Sequence, residues 1–166
     1  MIIEIGPGSG GYKFNPFVKP GIGVVYVDIN PPNPGTDIGN ALWIVADAHR
    51  LPFRDDVADR IYAIHVIEHL EDPKQFLREC YRVLRRGGMV MLVTPNFLSR
   101  NAFADPDHKH VFNFFKLRKM LREVGFVTRH RYGANIGSLL PKPLRSFIKL
   151  FLILMADDLI MVGLKL

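Results

Sequence analysis

Short, mostly apolar runs recur along this chain, most of them stopping at glycine or an acidic side chain. Ile2-Ile3-Glu4-Ile5 stops at Gly6-Pro7-Gly8, Gly23–Val27 at Asp28, and Leu42–Ala46 at Asp47. Arg60–Val66 follows, and Met89–Val93 stops at Thr94-Pro95-Asn96. Continuous rather than alternating apolar runs suit strands buried on both faces, as in a parallel sheet. Two amphipathic helices lie among them. One starts at the cap Asp72-Pro73, carries Phe76, Leu77, Cys80, Val83 and Leu84 on one face, and is expected to end at Gly87-Gly88. The other carries Phe114, Leu117, Met120, Leu121 and Val124 and stops at Gly125. Strands over Phe126–Arg131 and Leu159–Leu164 complete an α/β pattern with an open, mostly parallel sheet.

The 166 residues suit one domain, residues 1–166, and the single cysteine, Cys80, excludes an intrachain disulfide. Cys80 falls on the apolar helix face and reads as a core residue. The most apolar stretch, Phe147–Ala156, is too short to cross a bilayer, and the N-terminus has no cleavable apolar leader. A cytoplasmic protein is the expectation. The net charge of +6 is spread along the chain and points first to solubility. Residues 139–156 combine Lys142, Arg145 and Lys149 with large apolar side chains; they suit a helix packed on the sheet, a lipid-like acceptor pocket, a membrane-surface contact or a dimer contact.

Ligands of open parallel sheets bind beyond the carboxyl ends of the strands. The residues of interest collect at those ends. Gly6, Gly8 and Gly11 satisfy G-x-G-x-x-G, so a dinucleotide site has to be weighed. Asp28 ends the second strand and offers a carboxylate to both hydroxyls of a ribose, in NAD or in S-adenosylmethionine alike. Asp47-Ala48, ending the third, suits the amino edge of an adenine. His65-Val66-Ile67-Glu68-His69 matches the H-x-x-E-H zinc pattern, but His65 ends a strand and Glu68-His69 opens a turn, so the helical spacing is lost and no metal is expected. His108-Lys109-His110, with Asp105 and Asp107, reads as a metal cluster, a lid or a polar surface loop.

Glu4-x-Gly6-x-Gly8-x-Gly10, the segment Asp47-Ala48-His49-Arg50-Leu51-Pro52-Phe53-Arg54-Asp55-Asp56, the turn Glu68-His69-Leu70-Glu71-Asp72-Pro73, Arg82–Gly88 and Asp107–Phe112 occur in order over residues 2–132. Together they resemble class I S-adenosylmethionine-dependent methyltransferases. The resemblance implies a Rossmann-like, seven-stranded sheet, parallel except for the last strand. It implies S-adenosylmethionine as methyl donor, held by Glu4, Gly6, Pro7, Gly8, Gly10, Asp28, Ile29, Asp47, Ala48 and His65. His65, His69 and His108 become candidates for contact with the acceptor and for removal of its proton. A small-molecule acceptor is expected; nucleic acid is not favoured, because the segment after the fourth strand reads His65-Val66-Ile67-Glu68 rather than Asn/Asp-Pro-Pro-aromatic.

The chain departs from that pattern in places. It starts at the first strand, without N-terminal helices, so a minimal domain with an open substrate side is expected. Asn15-Pro16 interrupts the helix after the glycine loop, and Pro31-Pro32-Asn33-Pro34-Gly35 leaves little room for a second one. These departures keep two alternatives in view: a non-catalytic S-adenosylmethionine-binding module completed by a partner chain, and an NAD-dependent oxidoreductase.

Overall fold

The computed structural model describes residues 1–8, 23–130 and 157–166. Gly10, the Asn15-Pro16 interruption and the segment 139–156 lie outside the described residues. The strands are β1 (Ile2–Ile5), β2 (Val24–Asp28), β3 (Leu42–Val45), β4 (Ala58–Ile64), β5 (Leu84–Pro95), β6 (Val127–His130) and β7 (Asp158–Leu164). The helices are α1 (Pro73–Val83), the short α2 (Asn101–Ala104) and α3 (Phe114–Val124). The strands form one seven-stranded sheet in the order β3-β2-β1-β4-β5-β7-β6. Neighbours from β3 to β5 pair in parallel, while β7 runs antiparallel to both β5 and β6. The expected seven-stranded arrangement with a reversed last strand is therefore present.

One sheet face packs on α1 and α3. Ile3, Ile5, Ile61 and Leu92 meet Phe76, Leu77, Cys80, Leu117 and Leu121 in one buried cluster. Each large side chain buried there stabilises the fold by roughly 1.5–3 kcal/mol. Cys80 is fully buried and its thiol is pushed well up by desolvation, as fits a core residue. Glu4, in register with Tyr26 and Tyr62, alternates to the opposite face. Among the described residues, no helix is long and apolar enough to cross a membrane.

The helix ends follow local chemistry. Asp72 caps α1 by accepting the N–H groups of Lys74 and Gln75, both at 3.0 Å, and Pro73 takes the first turn. Asn113 caps α3 through the Lys116 N–H at 2.8 Å, and Gly125 closes it in the left-handed region at φ 115°.

The expected end of α1 at Gly87-Gly88 is wrong. The helix stops at Val83, because the fully buried Leu84 turns to extended backbone (φ −68°, ψ 135°) and pairs with Ala58. The register then jumps from Ala58–Leu84 to Arg60–Met89, so Arg85–Gly88 bulge out of β5, with Gly87 at φ 79°. Arg85 and Arg86, inside the expected helix, thus lie in this bulge. β4 also ends two residues earlier than expected, at Ile64, because His65 turns the chain at φ 53°. The connection from β2 to β3 contains no helix, as the proline-rich sequence implies.

Arg82 makes a network of charged hydrogen bonds on the outer side of α1. Its guanidinium donates to Glu79 Oε1 and Oε2 at 2.8 and 2.7 Å, to the carbonyls of Phe53 and Leu51 at 2.8 and 3.1 Å, and to Asp55 at 2.8 Å. Glu79 also accepts the Leu51 N–H at 2.9 Å. The pair clamps the loop between β3 and β4 onto α1. Replacing Arg82 with Met should lower stability by roughly 1–3 kcal/mol, since charged hydrogen bonds are lost at a partly exposed site. The Arg82 guanidinium, helped by the Leu51 N–H and opposed by partial burial, holds the Glu79 carboxyl below its ordinary 4.5. A depressed folded value stabilises above 4.5 and is lost as pH falls through it. Urea unfolding should therefore show the wild type losing its advantage over Glu79→Gln below that pH; parallel acid limbs would contradict the clamp.

Candidate active site

The chain passes from β1 outward to β2 and β3, then back across to β4 and β5. A crevice opens beyond the carboxyl ends of β1 and β4, where this order reverses. A cavity of about 760 Å³ occupies it, walled by Ile5 and Gly6 after β1, Asp28 to Asn30 after β2, Ala46 to His49 after β3, and His65, Val66 and His69 after β4.

Gly6 sets the shape of the crevice. It sits at φ 63°, its N–H donates to the Val27 carbonyl at 2.8 Å, and a Cβ on it would lie 2.5 Å from Val66 Cγ2. Glycine is required twice over, by conformation and by the close approach of Val66. Asp28 ties the loop down: its Oδ2 accepts the Gly8 N–H at 3.2 Å and its Oδ1 the Asn30 N–H at 3.0 Å. A carboxylate offers about four lone-pair positions, so acceptor capacity for a ribose remains. Glu4 and Pro7 are buried, and neither they nor Gly8 stand in the cavity wall. Ile29 is 69% exposed and lines the cavity with Val27, Ala46, Ala48 and Leu70, an apolar setting suited to a flat base.

Asp47 belongs to a chain of hydrogen bonds that runs to helix α1. Its Oδ1 accepts the His49 N–H at 2.8 Å and lies 2.7 Å from His49 Nδ1. The Asp72 N–H donates to His49 Nε2 at 3.1 Å. A nitrogen that accepts carries no proton, so Nδ1 holds it and donates to Asp47. The His49 backbone N–H, aided by its side chain and opposed by slight burial, lowers the Asp47 pKa. Among the described residues both of these bonds go to Oδ1, and none is made to Asp47 Oδ2.

On the β4 side, His65 is held in the left-handed region by its N–H bond to the Val93 carbonyl at 2.8 Å. Its Nδ1 lies 3.3 Å from Glu68 Oε1 and its Nε2 3.9 Å from Asp158. The Glu68 carboxylate, with Asp158 adding, raises the His65 pKa against the effect of partial burial. His69 lines the cavity; its ring packs edge-on against His108 at 4.8 Å. His108 is 9% exposed and does not line the cavity.

The structure thus gathers Gly6, Asp28, Ile29, Asp47, Ala48, His65 and His69 on one wall system. His49 and Lys109 were not assigned a role from sequence. His49 was legible as the donor of an Asp-x-His turn; Lys109, which pairs with Glu71 at 2.6 Å and lines the cavity, had no local signal.

Residues 3–92 match the methyltransferase domain family. A protein described as a probable S-adenosylmethionine-dependent methyltransferase from Mycolicibacterium smegmatis is 36% identical over 92 residues, 53% of this chain and 36% of that protein. The ubiquinone/menaquinone biosynthesis C-methyltransferase of Vibrio parahaemolyticus is 33% identical over 103 residues, 55% of this chain and 40% of that one. The chain therefore spans well under half the length of these curated relatives. Among solved structures, a methyltransferase in complex with the Trm112 methyltransferase activator, from Haloferax volcanii, superposes with a TM-score of 0.68 at 19% identity, covering 98% of this chain and 81% of that one.

Gly6→Ala should disrupt the crevice, lowering stability by roughly 1–3 kcal/mol through the left-handed backbone and the overlap with Val66. Adding Val66→Ala should recover part of the loss, because it relieves the overlap but not the backbone strain. Equal melting temperatures for single and double variants would refute the contact.

Proposed function

Since the chain belongs to the family of S-adenosylmethionine-dependent methyltransferases, we propose that it binds S-adenosylmethionine in the β1–β4 crevice and transfers its methyl group to a small-molecule acceptor. The observation that carries this reading is the meeting of Gly6, Asp28 and Asp47 around one cavity of about 760 Å³, with a separate anchor for each part of the donor. Gly6 forms the backbone surface for the methionine moiety, and Gly8, outside the cavity wall, orients Asp28 through its N–H. Asp28, already oriented by two backbone N–H groups, accepts the ribose hydroxyls. Asp47 Oδ2 and Ala48 take the adenine edge, and Ile29 covers its face. Glu4 and Pro7 support the loop from below.

S-adenosylmethionine supplies a methyl group already activated on a sulfonium. What remains for this chain is to hold donor and acceptor in line and to exclude water. His65, fixed between the Val93 carbonyl and Glu68, forms the wall between the two substrates. Phe97, Leu98 and Phe103 stand 48%, 50% and 67% exposed on the segment after β5, and suit an acceptor with an apolar body. The quinone-pathway relative agrees with a small-molecule acceptor of that kind.

A second reading, in which a partner chain completes the protein, is supported by the sheet edge. β3 is a terminal strand with Leu42 59% and Val45 56% exposed, and edge strands with apolar exposure invite pairing.

Calorimetric titration tests both readings. S-adenosylmethionine and S-adenosylhomocysteine should bind with micromolar affinity and NAD should not. Asp28→Ala should weaken both sulfur ligands at least about tenfold, or ~1.4 kcal/mol. Binding of NAD instead would replace the methyl-transfer reading with the oxidoreductase one. A folded chain that binds none of the three would favour the partner-dependent reading.

A further inference from the structure

We propose that Glu68, His69 and His108 bind one divalent first-row transition-metal ion, such as zinc or cobalt, beside the cavity. One ligand-capable atom from each of the three residues lies within 4.8 Å of the others. The residues come from two segments, the turn after β4 and the loop before α3. That loop is pinned in place, because the N–H groups of Lys109 and His110 both donate to the Glu68 carbonyl, at 2.9 and 3.0 Å.

The donor atoms are prepared for a cation. Glu68 is 1% exposed; its Oε2 accepts the Thr94 hydroxyl at 3.0 Å, while its Oε1 receives no aligned hydrogen bond. The His65 ring, 3.3 Å from that oxygen, is a long contact, and a buried carboxylate oxygen with lone pairs to spare can take a cation in addition. His69 Nδ1 lies 3.2 Å from the Asp107 carbonyl and His108 Nδ1 3.1 Å from the Ala102 carbonyl. A carbonyl only accepts, so each Nδ1 carries the proton and each Nε2 keeps its lone pair. Metal-binding histidines are oriented in this way, with the second ring nitrogen donating to a backbone oxygen.

Two imidazole nitrogens and one carboxylate oxygen favour zinc, cobalt, iron or manganese over calcium or magnesium. Two charged neighbours face the cluster. His65 Nδ1, 3.3 Å from Glu68 Oε1, competes for that oxygen, while Asp105, 3.9 Å from His108 Nε2, adds negative charge. The site is not the His65–His69 pairing of the H-x-x-E-H pattern, and it departs from the expectation of no metal. His69 also stands in the cavity wall, which puts the ion beside the cavity.

The test uses the full chain, free of any histidine tag and stripped with EDTA. Zinc titrated by calorimetry should bind one equivalent with micromolar affinity or tighter, and cobalt should develop visible d–d absorption. His108→Phe keeps a ring against His69 but removes the lone pair. It and Glu68→Gln should each weaken zinc by more than the roughly 10- to 100-fold that loss of an outer-shell partner costs. His110→Gln, outside the cluster, should bind like wild type. Zinc should raise the melting temperature of wild type but not of His108→Phe. A folded wild type that binds no zinc at submillimolar concentration, or a His108→Phe variant that binds as tightly as wild type, would overturn the assignment. Neither readout depends on the methyl donor.

Discussion

The approach of Val66 to the backbone of Gly6 determines how far the crevice between β1 and β4 can close. With a Cβ at that position 2.5 Å from Val66, the two strand ends could not be neighbours without displacing the turn that carries His65 and His69. The parallel registers Ile5–Val27 and Ile5–Ala63 fix β1 between β2 and β4. At Gly6 the backbone then turns out of the sheet at φ 63° and leaves no side chain between β1 and Val66. The cavity follows from a missing side chain at a place where topology has already left a gap.

Helix α1 holds the far wall. Arg82 and Glu79 fasten the β3–β4 loop along the helix, and the N-terminal Asp72 N–H holds His49, which in turn orients Asp47. One helix thus sets both the path of the loop and the direction of a carboxylate that faces the cavity. The interactions are reciprocal: Asp72 caps the helix with its side chain while its own N–H serves His49. Asp72 and His49 themselves line the cavity, so a change at the helix N-terminus would alter its wall directly and reach Asp47 through two hydrogen bonds.

Much of this was legible before the structure. Continuous apolar runs marked β1 to β5, and the caps at Asp72 and Gly125 marked helix ends, because those signals are local. The end of α1 was misread because Gly87-Gly88 is a strong local stop, whereas the actual stop is Leu84 taking a place in the sheet opposite Ala58, a long-range pairing. That Asp28 and Asp47 would meet at one crevice was legible from their places at strand ends. The parts played by Arg82 and Lys109, and the bond from Asp72 to His49, were not, since each depends on a partner far along the chain: Leu51 and Phe53, Glu71, and the helix N-terminus. The cluster of Glu68, His69 and His108 was hidden for the same reason. Its spacing in sequence matches no helix or turn, and only the docking of the loop before α3 brings its third member in.

The two sides of the crevice differ in how their polar groups are arranged. On the β1–β3 side the carboxylates of Asp28 and Asp47 are bound largely by backbone N–H groups, which cannot rotate away. Such a surface is preorganised and asks for no rearrangement when a ligand of fixed shape arrives. On the β4 side the groups are imidazoles and a buried carboxylate that face one another, and their geometry depends on what else shares the space. His65 is itself held in a backbone conformation that disfavours a non-glycine residue. Strain of this kind persists only where the surroundings enforce it, here the Val93 carbonyl and Glu68. A rigid edge thus stands beside an edge of exchangeable polar contacts, the division that the proposed donor and acceptor sides would require.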